Sequence, residues 1–153
     1  MRLTRTWIEA HIPHQGRMCL LDEVLSWDPD RISCRSGSHR CADNPLRSHG
    51  RLGIACGVEY AAQAMAVHGA LVAAQCREAA RKMPTAGYLA GVRGVRHHVR
   101  SLDDVRGELI CSAVRVAGDS GTALYQFALS AEGLPLLTGR AAVIFDAGGR
   151  VLP

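Results

Sequence analysis

Apolar residues are densest between Leu52 and Arg77, in a stretch that lacks proline and is rich in alanine, methionine, valine and leucine. This composition predicts a long helix. The apolar positions surround most of the helix cylinder instead of keeping to one stripe, which is typical of a buried helix. Glu59, Gln63 and His68 interrupt the stretch and make a membrane span unfavourable. We therefore expect a central helix inside a globular fold.

The segments around this helix read as strands and turns. Ahead of it lie an irregular arm through Pro13 and Gly16, a short apolar element (MCLLDEVLSW) and an alternating, strand-like segment from Arg31 to His39. After a break at Pro84, turns separate four further strand-like segments: GYLAGVRGVRHHV, GELICSAVRVAG, TALYQFALSAEG and LPLLTGRAAVIFDAGG. No room is left for helices between these strands. The pattern predicts an α+β fold in which an antiparallel sheet wraps around one long central helix.

Composition narrows the class of protein. A chain of 153 residues is the size of one domain, so we expect residues 1–153 to form a single unit. The six cysteines form no CxxC pair, which favours reduced structural thiols over a metal site. Without a signal-peptide pattern or a spanning segment, we expect a cytoplasmic protein that is not bound to a membrane. The net charge of +4 suits an acidic partner, while sparse aromatic residues disfavour nucleic-acid binding.

The candidate chemistry lies on the helix. Glu59 and Gln63 are one turn apart and share a face. A carboxylate on a buried helix seldom lacks a partner or a task, which makes this pair the first candidate for a functional site. The alternative is that Glu59 is a first-turn carboxylate favoured by the helix dipole.

Two strings carry a resemblance to a known family. Ile12-Pro13-His14 through LLDEV is similar to the N-terminal segment of the FabZ-type dehydratases. GVEYAAQAMA resembles the central-helix motif of that family, in which a catalytic Glu is followed four residues later by Gln. The chain thus resembles the hotdog-fold β-hydroxyacyl-carrier-protein dehydratases. The strings NPLR, GRL, GVEYAAQAMAVHGAL and GYLAGVR are most similar to the ApeP-like branch, which is associated with aryl polyene pathways.

The resemblance implies a lyase that dehydrates a 3-hydroxyacyl thioester to the trans-2-enoyl thioester in fatty-acid-like or aryl polyene chain extension. The substrate would arrive on the 4'-phosphopantetheine arm of an acyl carrier protein, and no metal or organic cofactor would be needed. The protein would form a homodimer, or a heterodimer with a second dehydratase. Two alternatives stay open: a hotdog acyl thioesterase, and a non-catalytic partner subunit of a heteromeric dehydratase.

The resemblance also implies roles for residues at the start of the helix. Glu59 corresponds to the catalytic carboxylate, and Gln63 would orient it or hold a polar atom of the substrate. The backbone N–H groups of Gly57 and Val58 would polarise the thioester carbonyl at the positive end of the helix dipole. Gly57 would also let the thioester approach without a Cβ in the way.

The chain departs from the family pattern in the loop before the helix. The family places a catalytic His there, but the spacing lands on Pro45, beside Asn44. We predict that Asn44 hydrogen-bonds the substrate, with a turn role as the alternative. His49 is the only histidine of this loop, and we predict that it is the acid–base partner of Glu59.

The remaining expectations concern residues outside this loop. His98 is predicted to face the site and bind substrate. His14 is expected to tie down the N-terminal arm, with a direct catalytic role as the less favoured alternative. An acidic carrier protein would be recognised by a basic rim drawn from Arg77, Arg81, Lys82, and Arg96 or Arg100.

Overall fold

The computed structural model describes residues 2–76, 86–119 and 121–146. The two helices are α1 (Arg5–His11) and α2 (Gly57–Gln75). The six strands are β1 (Glu23–Asp28), β2 (Arg31–Ser36), β3 (Ala86–His97), β4 (Leu109–Gly118), β5 (Thr122–Ala131) and β6 (Leu134–Asp146). Short 3-10 turns lie at Gly16–Met18, Ser38–Arg40 and Ile54–Cys56.

The six strands form one antiparallel sheet in the order β1-β2-β4-β5-β6-β3. Helix α2 packs on the face of this sheet, against β2, β3, β4 and β5. Consecutive strands β4, β5 and β6 are neighbours, as short connections require. The predicted antiparallel sheet wrapped around one long central helix is confirmed.

The core lies between α2 and the concave face of the sheet. Strand β5 alternates strictly, so that its inward side chains pack toward the helix while the residues between them are half-buried or exposed. The buried residues of α2 occupy most sides of the helix, as the sequence predicts. They are Gly57, Tyr60, Ala61, Gln63, Ala64, Met65, Val67, His68 and Leu71.

The start of α2 differs from the prediction. The helix begins at Gly57, whereas the apolar stretch begins at Leu52. Leu52 accepts a backbone hydrogen bond from Leu102, and Ile54 donates one to the carbonyl oxygen of Arg100. These long-range bonds hold the residues before Gly57 out of a helical path, which local composition does not encode. The predicted end at Arg77 lies outside the described residues.

The N-terminal arm is also more regular than predicted, because residues 5–11 form helix α1. Arg5 donates to Glu9 one turn later at 3.3 Å, and the ring of Trp7 stacks on that of His11 at 3.8 Å between centroids. Ile8 is fully buried. Ile8 and the partly buried Trp7 anchor the short helix against the core.

His68 behaves as a satisfied core histidine. Its ring is fully buried, with Nδ1 2.8 Å from the Tyr125 hydroxyl and Nε2 2.9 Å from the carbonyl oxygen of Asp28. Because a carbonyl only accepts, Nε2 carries the proton and Nδ1 accepts from the hydroxyl. Burial lowers the pKa of His68, which keeps the ring neutral in this place.

Gly139 offers a test of how tightly β6 is packed. A Cβ at this position would lie 2.6 Å from Cζ of Phe127 and 3.2 Å from Cγ2 of Val95. Because the Phe127 ring is buried, we expect Gly139→Ala to lower the free energy of unfolding by about 1–3 kcal/mol. Urea denaturation followed by circular dichroism measures this loss.

Gly53 is the matched control, since its backbone is extended and no heavy atom lies within 4 Å of a Cβ built there. Gly53→Ala should change the free energy of unfolding by less than about 0.5 kcal/mol. Equal stability of the two variants would show that the packing around Gly139 is loose.

Candidate active site

The carboxylate of Glu59 lies in the first turn of α2 and contacts a histidine from the N-terminal arm. Nε2 of His14 is 3.0 Å from Oε1 of Glu59. The two side chains are 26% and 32% exposed, so both are reachable from outside while most of their surface is covered. A histidine and a carboxylate in direct contact are a pair that can exchange and hold protons near neutral pH.

Gln63 fixes this carboxylate from the other side. Its Nε2 donates to Oε1 of Glu59 at 3.1 Å and to the carbonyl oxygen of Met18 at 2.7 Å. Its Oε1 accepts from the backbone N–H of Leu20 at 2.9 Å. Since Gln63 is fully buried and both ends of its amide are engaged, its orientation is determined. The expected orienting role of Gln63 toward Glu59 agrees with these contacts.

Hydrogen bonds within the arm bring His14 to the helix. The side chain of Gln15 donates to the carbonyl oxygen of Glu9 at 2.6 Å, which closes the chain back onto α1. Arg5 donates to the carbonyl oxygen of Gly16 at 2.8 Å. Gly16 has a φ of +59°, a conformation that glycine adopts without strain, so the chain turns sharply just after His14.

The electrostatics favour an ionised Glu59. The hydrogen bond from His14 is the largest influence and lowers the pKa of the Glu59 carboxyl below its ordinary value. Burial acts in the opposite direction, and the hydrogen bond from Gln63 lowers the pKa further. Glu59 is therefore a carboxylate at neutral pH and accepts from both neighbours.

The sequence favours a structural role for His14 and indicates His49 as the partner of Glu59. The structure instead places His49 in the exposed turn after Ser48, with a φ of +52°, while His14 contacts the carboxylate. The catalytic role of His49 stays a prediction. The Pro13-His14 pair is the sequence signal that identifies the residue found at the site.

Asn44 lies in a turn and is almost fully buried. Its Nδ2 donates to the Tyr60 hydroxyl and to the carbonyl oxygen of Ser38, each at 3.0 Å. Its Oδ1 accepts from the backbone N–H of Leu46 at 2.9 Å. These contacts support the turn role that was the alternative reading, and substrate binding by Asn44 stays a prediction.

Gly57 and Val58 occupy the helix start as expected, but the space beside Gly57 is filled. A Cβ at Gly57 would lie 2.8 Å from Cδ2 of Leu137 and 3.0 Å from Cδ2 of Leu129. Close packing of the helix on the sheet therefore explains the glycine at this position. The side chains of Leu137 and Leu129 occupy the side from which a thioester was expected to approach. The Gly57 N–H is directed at the carbonyl oxygen of Ile54. Polarisation of a carbonyl by Gly57 and Val58 stays a prediction.

The remaining predicted residues are His98 and the basic rim. They are far from His14 and Glu59 along the chain, and those that the structure describes are exposed. His98 is exposed after the end of β3, where its N–H donates to the carbonyl oxygen of Leu136. Its substrate role stays a prediction. Of the basic rim, Arg96 and Arg100 are exposed. Its other members, Arg77, Arg81 and Lys82, lie outside the described residues.

Asp103 is a positioning residue that the sequence pattern does not indicate. Its carboxylate accepts from Arg51 Nε at 3.1 Å, from the Leu52 N–H at 2.8 Å and from the Ser101 hydroxyl at 2.9 Å, and it pairs with Arg47. The backbone hydrogen bond from Leu52 is the largest influence lowering the pKa of Asp103 to about 2. This carboxylate ties the loop before α2 to the segment after β3, and so sets where the helix begins.

An antiparallel sheet wrapped around one long helix is the hotdog fold, which solved dehydratase and thioesterase structures share with this chain. The model of the ApeP-like family, described as ApeP dehydratase, matches residues 6–147, and the chain belongs to this family. No curated protein matches the chain. Within the described residues, no helix has the length and apolarity needed to cross a membrane.

Solved structures share the fold at low sequence identity. The dehydratase heterocomplex ApeI:P from Xenorhabdus doucetiae is 22% identical, with a TM-score of 0.76 over 91% of this chain and 90% of that chain. Zebra fish thioesterase superfamily member 2 is 12% identical, with a TM-score of 0.61 over 94% and 99%. A thioesterase from Pseudomonas aeruginosa is 16% identical, with a TM-score of 0.53 over 81% of each chain. These neighbours show the fold, and the family match describes a dehydratase.

The contact between His14 and Glu59 can be tested by titration. Because the hydrogen bond from His14 stabilises the ionised carboxyl, His14→Ala should raise the pKa of Glu59 toward its ordinary value. The carbon shift of a ¹³C-labelled Glu59 carboxyl, followed from pH 7 downward, measures this change. His11→Ala is the matched control, since His11 bonds the carbonyl oxygen of Trp7 instead. A Glu59 titration identical in all three proteins would contradict the contact.

Proposed function

We propose that this protein dehydrates a 3-hydroxyacyl thioester on an acyl carrier protein to the trans-2-enoyl thioester, in fatty-acid-like or aryl polyene chain extension. Membership of a dehydratase family supports the reaction type. The observation that carries the proposal is the direct contact of His14 with Glu59. The carrier and the pathway are inferred from the resemblance of the sequence.

The chemistry fits this pair. Dehydration removes a proton from the carbon next to the thioester carbonyl and returns a proton to the departing hydroxyl. A histidine held by an ionised carboxylate supplies a base that becomes an acid after the first transfer. No step of this dehydration requires a metal or a redox cofactor. Gln63 keeps the carboxylate in place while the charge on the pair changes.

A partner subunit is part of the proposal. Strand β3 is an edge strand of 12 residues, and its large apolar side chains are between 37% and 44% exposed. They are Tyr88, Leu89, Val92 and Val95. A long, exposed apolar edge strand presents unpaired backbone groups to which another chain can bind. We propose that either a second copy of this chain or a second dehydratase subunit binds the β3 edge. The heterocomplex among the structural neighbours supports the second dehydratase subunit.

The second candidate is thioester hydrolysis. An ionised carboxylate in the first turn of the central helix can activate water, and two of the neighbouring structures are described as thioesterases. The products separate the two reactions. Dehydration yields an enoyl thioester, whereas hydrolysis yields a free thiol.

The test compares three variants with the wild type on a 3-hydroxyacyl carrier protein, with enoyl product and free thiol measured by mass spectrometry. We expect His14→Ala and Glu59→Gln to lose about 10²–10⁴-fold in kcat, because each removes part of the acid–base pair. His49→Ala should stay close to wild type if His14 is the partner of Glu59.

Three outcomes overturn parts of the proposal. Free thiol without enoyl product favours a thioesterase. Turnover only after a second dehydratase subunit is added favours a non-catalytic role for this chain. If His49→Ala is inactive and His14→Ala is active, then His49 is the acid–base partner of Glu59, as the sequence predicts.

The outer face of the sheet offers a docking surface for an acidic carrier. Arg93 on β3 is directly opposite Arg140 on β6, and Arg96 pairs with Thr138 on the same face. Position 139 faces the buried Phe127, which places its neighbours Thr138 and Arg140 on the outer side. Like charges opposite each other are unfavourable, and an acidic partner relieves this repulsion.

We predict that the double variant Arg93→Glu with Arg140→Glu weakens carrier binding and removes most of its salt dependence. Exposed charges are screened over about 8–10 Å at ordinary ionic strength, so wild-type affinity should fall as salt is added. The double variant Arg31→Glu with Arg106→Glu carries the same charge change at exposed positions on β2 and in the loop before β4, neither of which is a neighbour of β3 or β6 in the sheet, and is the control. Calorimetry that finds the two double variants equal would place the carrier elsewhere.

A further inference from the structure

Four polar side chains form a second chain of hydrogen bonds next to the candidate active site. Nδ2 of Asn44 donates to the Tyr60 hydroxyl at 3.0 Å, and this hydroxyl lies 2.8 Å from Oγ of Ser38. Oγ of Ser38 lies 2.9 Å from Oγ of Ser36, which donates to the carbonyl oxygen of Leu20. We refer to Tyr60, Ser38 and Ser36 as the hydroxyl chain. A buried polar network specifies one arrangement of the core when each of its members is bonded, as here.

The direction of each bond follows from the carbonyl end. A carbonyl oxygen only accepts, so the single proton of the Ser36 hydroxyl points at Leu20. Ser38 must then donate to Ser36, and the Tyr60 hydroxyl must donate to Ser38. Burial raises the pKa of Tyr60 to about 12, so this hydroxyl keeps the proton that it donates. All bonds therefore run one way, from Asn44 toward the backbone, and bonds aligned in this way strengthen one another.

Leu20 is held from both sides. Its carbonyl accepts from Ser36, and its N–H donates to Oε1 of Gln63 at 2.9 Å. Because Oε1 is bound to Leu20, Nε2 at the other end of the amide faces Glu59 and donates to it at 3.1 Å. The reversed amide would place its oxygen against an ionised carboxylate, and neither group could donate. The backbone at Leu20, together with the Met18 carbonyl that also accepts from Nε2, thus decides whether Gln63 supports the charge on Glu59.

The connections close into a ring that begins and ends on α2. The hydroxyl chain leaves the helix at Tyr60, the residue after Glu59, and the bonds return to the helix at Gln63, less than one turn later. Between these points the ring passes through the end of β2 at Ser36 and the segment before β1 at Leu20. A displacement of one member is opposed by the others, because it would leave a buried polar group without its partner.

We propose that the hydroxyl chain is a positioning device for the candidate active site. It holds Leu20, Leu20 sets the amide of Gln63, and the amide keeps Glu59 ionised and aligned. Ser36 and Tyr60 are then positioning residues that do not touch the substrate. This inference rests on the proposed dehydration, in which Glu59 takes part, and it adds residues that the sequence pattern does not connect with Glu59.

Two other buried polar side chains show the contrast. Oγ of Ser101 bonds the carbonyl oxygen of Leu52 and the carboxylate of Asp103 in the loops at the start of the helix. Nε2 of His39 bonds the carbonyl oxygen of Val105. These contacts fix loops, and they lead to no residue that contacts the catalytic carboxylate. The hydroxyl chain differs because its last backbone partner also binds the amide that orients this carboxylate.

The first experiment titrates the carboxyl of Glu59 without substrate, by the carbon shift of a ¹³C-labelled side chain. The hydrogen bond from His14 has the largest influence lowering the pKa of Glu59, and the bond from Gln63 lowers it further. Ser36→Ala removes the bond to the Leu20 carbonyl and so frees the Gln63 amide to turn. We therefore expect Ser36→Ala to raise the pKa of Glu59 toward its ordinary value, by less than His14→Ala does.

Four variants complete this titration. Tyr60→Phe removes the proton donated to Ser38 while keeping the ring, and it should shift the pKa of Glu59 in the same direction even where Ser36→Ala does not fold. Ser36→Thr keeps the hydroxyl and should titrate like the wild type. Ser33→Ala makes the same chemical change on the opposite face of β2 and should also leave the titration unchanged.

Gly139→Ala controls for a general loss of stability. The added Cβ disturbs the core at Phe127 and Val95, neither of which belongs to the hydroxyl chain. We expect the titration of Glu59 in this variant to match the wild type. A shift as large as that in Ser36→Ala would show that Glu59 responds to any loosening of the core, and would overturn the inference.

The second experiment measures turnover of the 3-hydroxyacyl carrier protein. Ser36→Ala should lose about 10–10²-fold in kcat, because a misplaced acid–base group loses its alignment with the reacting atoms. KM should stay at the wild-type value, since Ser36 does not contact the substrate, and Ser36→Thr should recover the lost kcat. A rise in KM with kcat preserved would contradict a positioning role.

The outcomes separate this inference from the proposed function. A wild type that forms no enoyl product refutes the dehydration, whereas the titration still decides whether the hydroxyl chain positions Glu59. A wild type that forms enoyl product, together with Ser36→Ala and Tyr60→Phe variants that keep the wild-type titration and kcat, refutes the positioning role and leaves the dehydration standing.

Discussion

The buried amide of Gln63 is the interaction on which the candidate site depends. It bonds the backbone at Met18 and Leu20 on one side and the carboxylate of Glu59 on the other. Leaving such a group unsatisfied in the interior costs about 1–3 kcal/mol. Separating the N-terminal arm from the central helix therefore carries this cost, and the helix that supplies the carboxylate also fixes the segment that supplies the histidine.

Much of the fold follows from local pattern, because it depends on periodicity within short segments. Apolar residues on most sides of a proline-free stretch identify the central helix, and alternation identifies the strands. The spacing of Glu59 and Gln63 places both side chains on one helix face, and the structure shows them in contact. The helix start at Gly57 was not predictable in this way, because backbone bonds to residues 100–102 decide it.

The histidine partner illustrates the limit of local reasoning. His49 is the nearer candidate along the chain and the only histidine of the loop in which the family pattern places its catalytic histidine. His14 reaches Glu59 because α1, the turn at Gly16 and the bonds of Gln63 fold the arm back across the helix. The bonds of Gln63 to Met18 and Leu20 span 45 and 43 positions of the chain, so no window of neighbouring residues contains this information.

The origin of both site residues in one chain has a consequence for stoichiometry. The histidine and the carboxylate meet without a contribution from another subunit. An assembly that combines this chain with a different subunit therefore contains one complete pair for every copy of this chain, whatever the partner carries. The number of pairs is set by the number of these chains and not by the number of interfaces, so the partner is free to diverge in its own sequence.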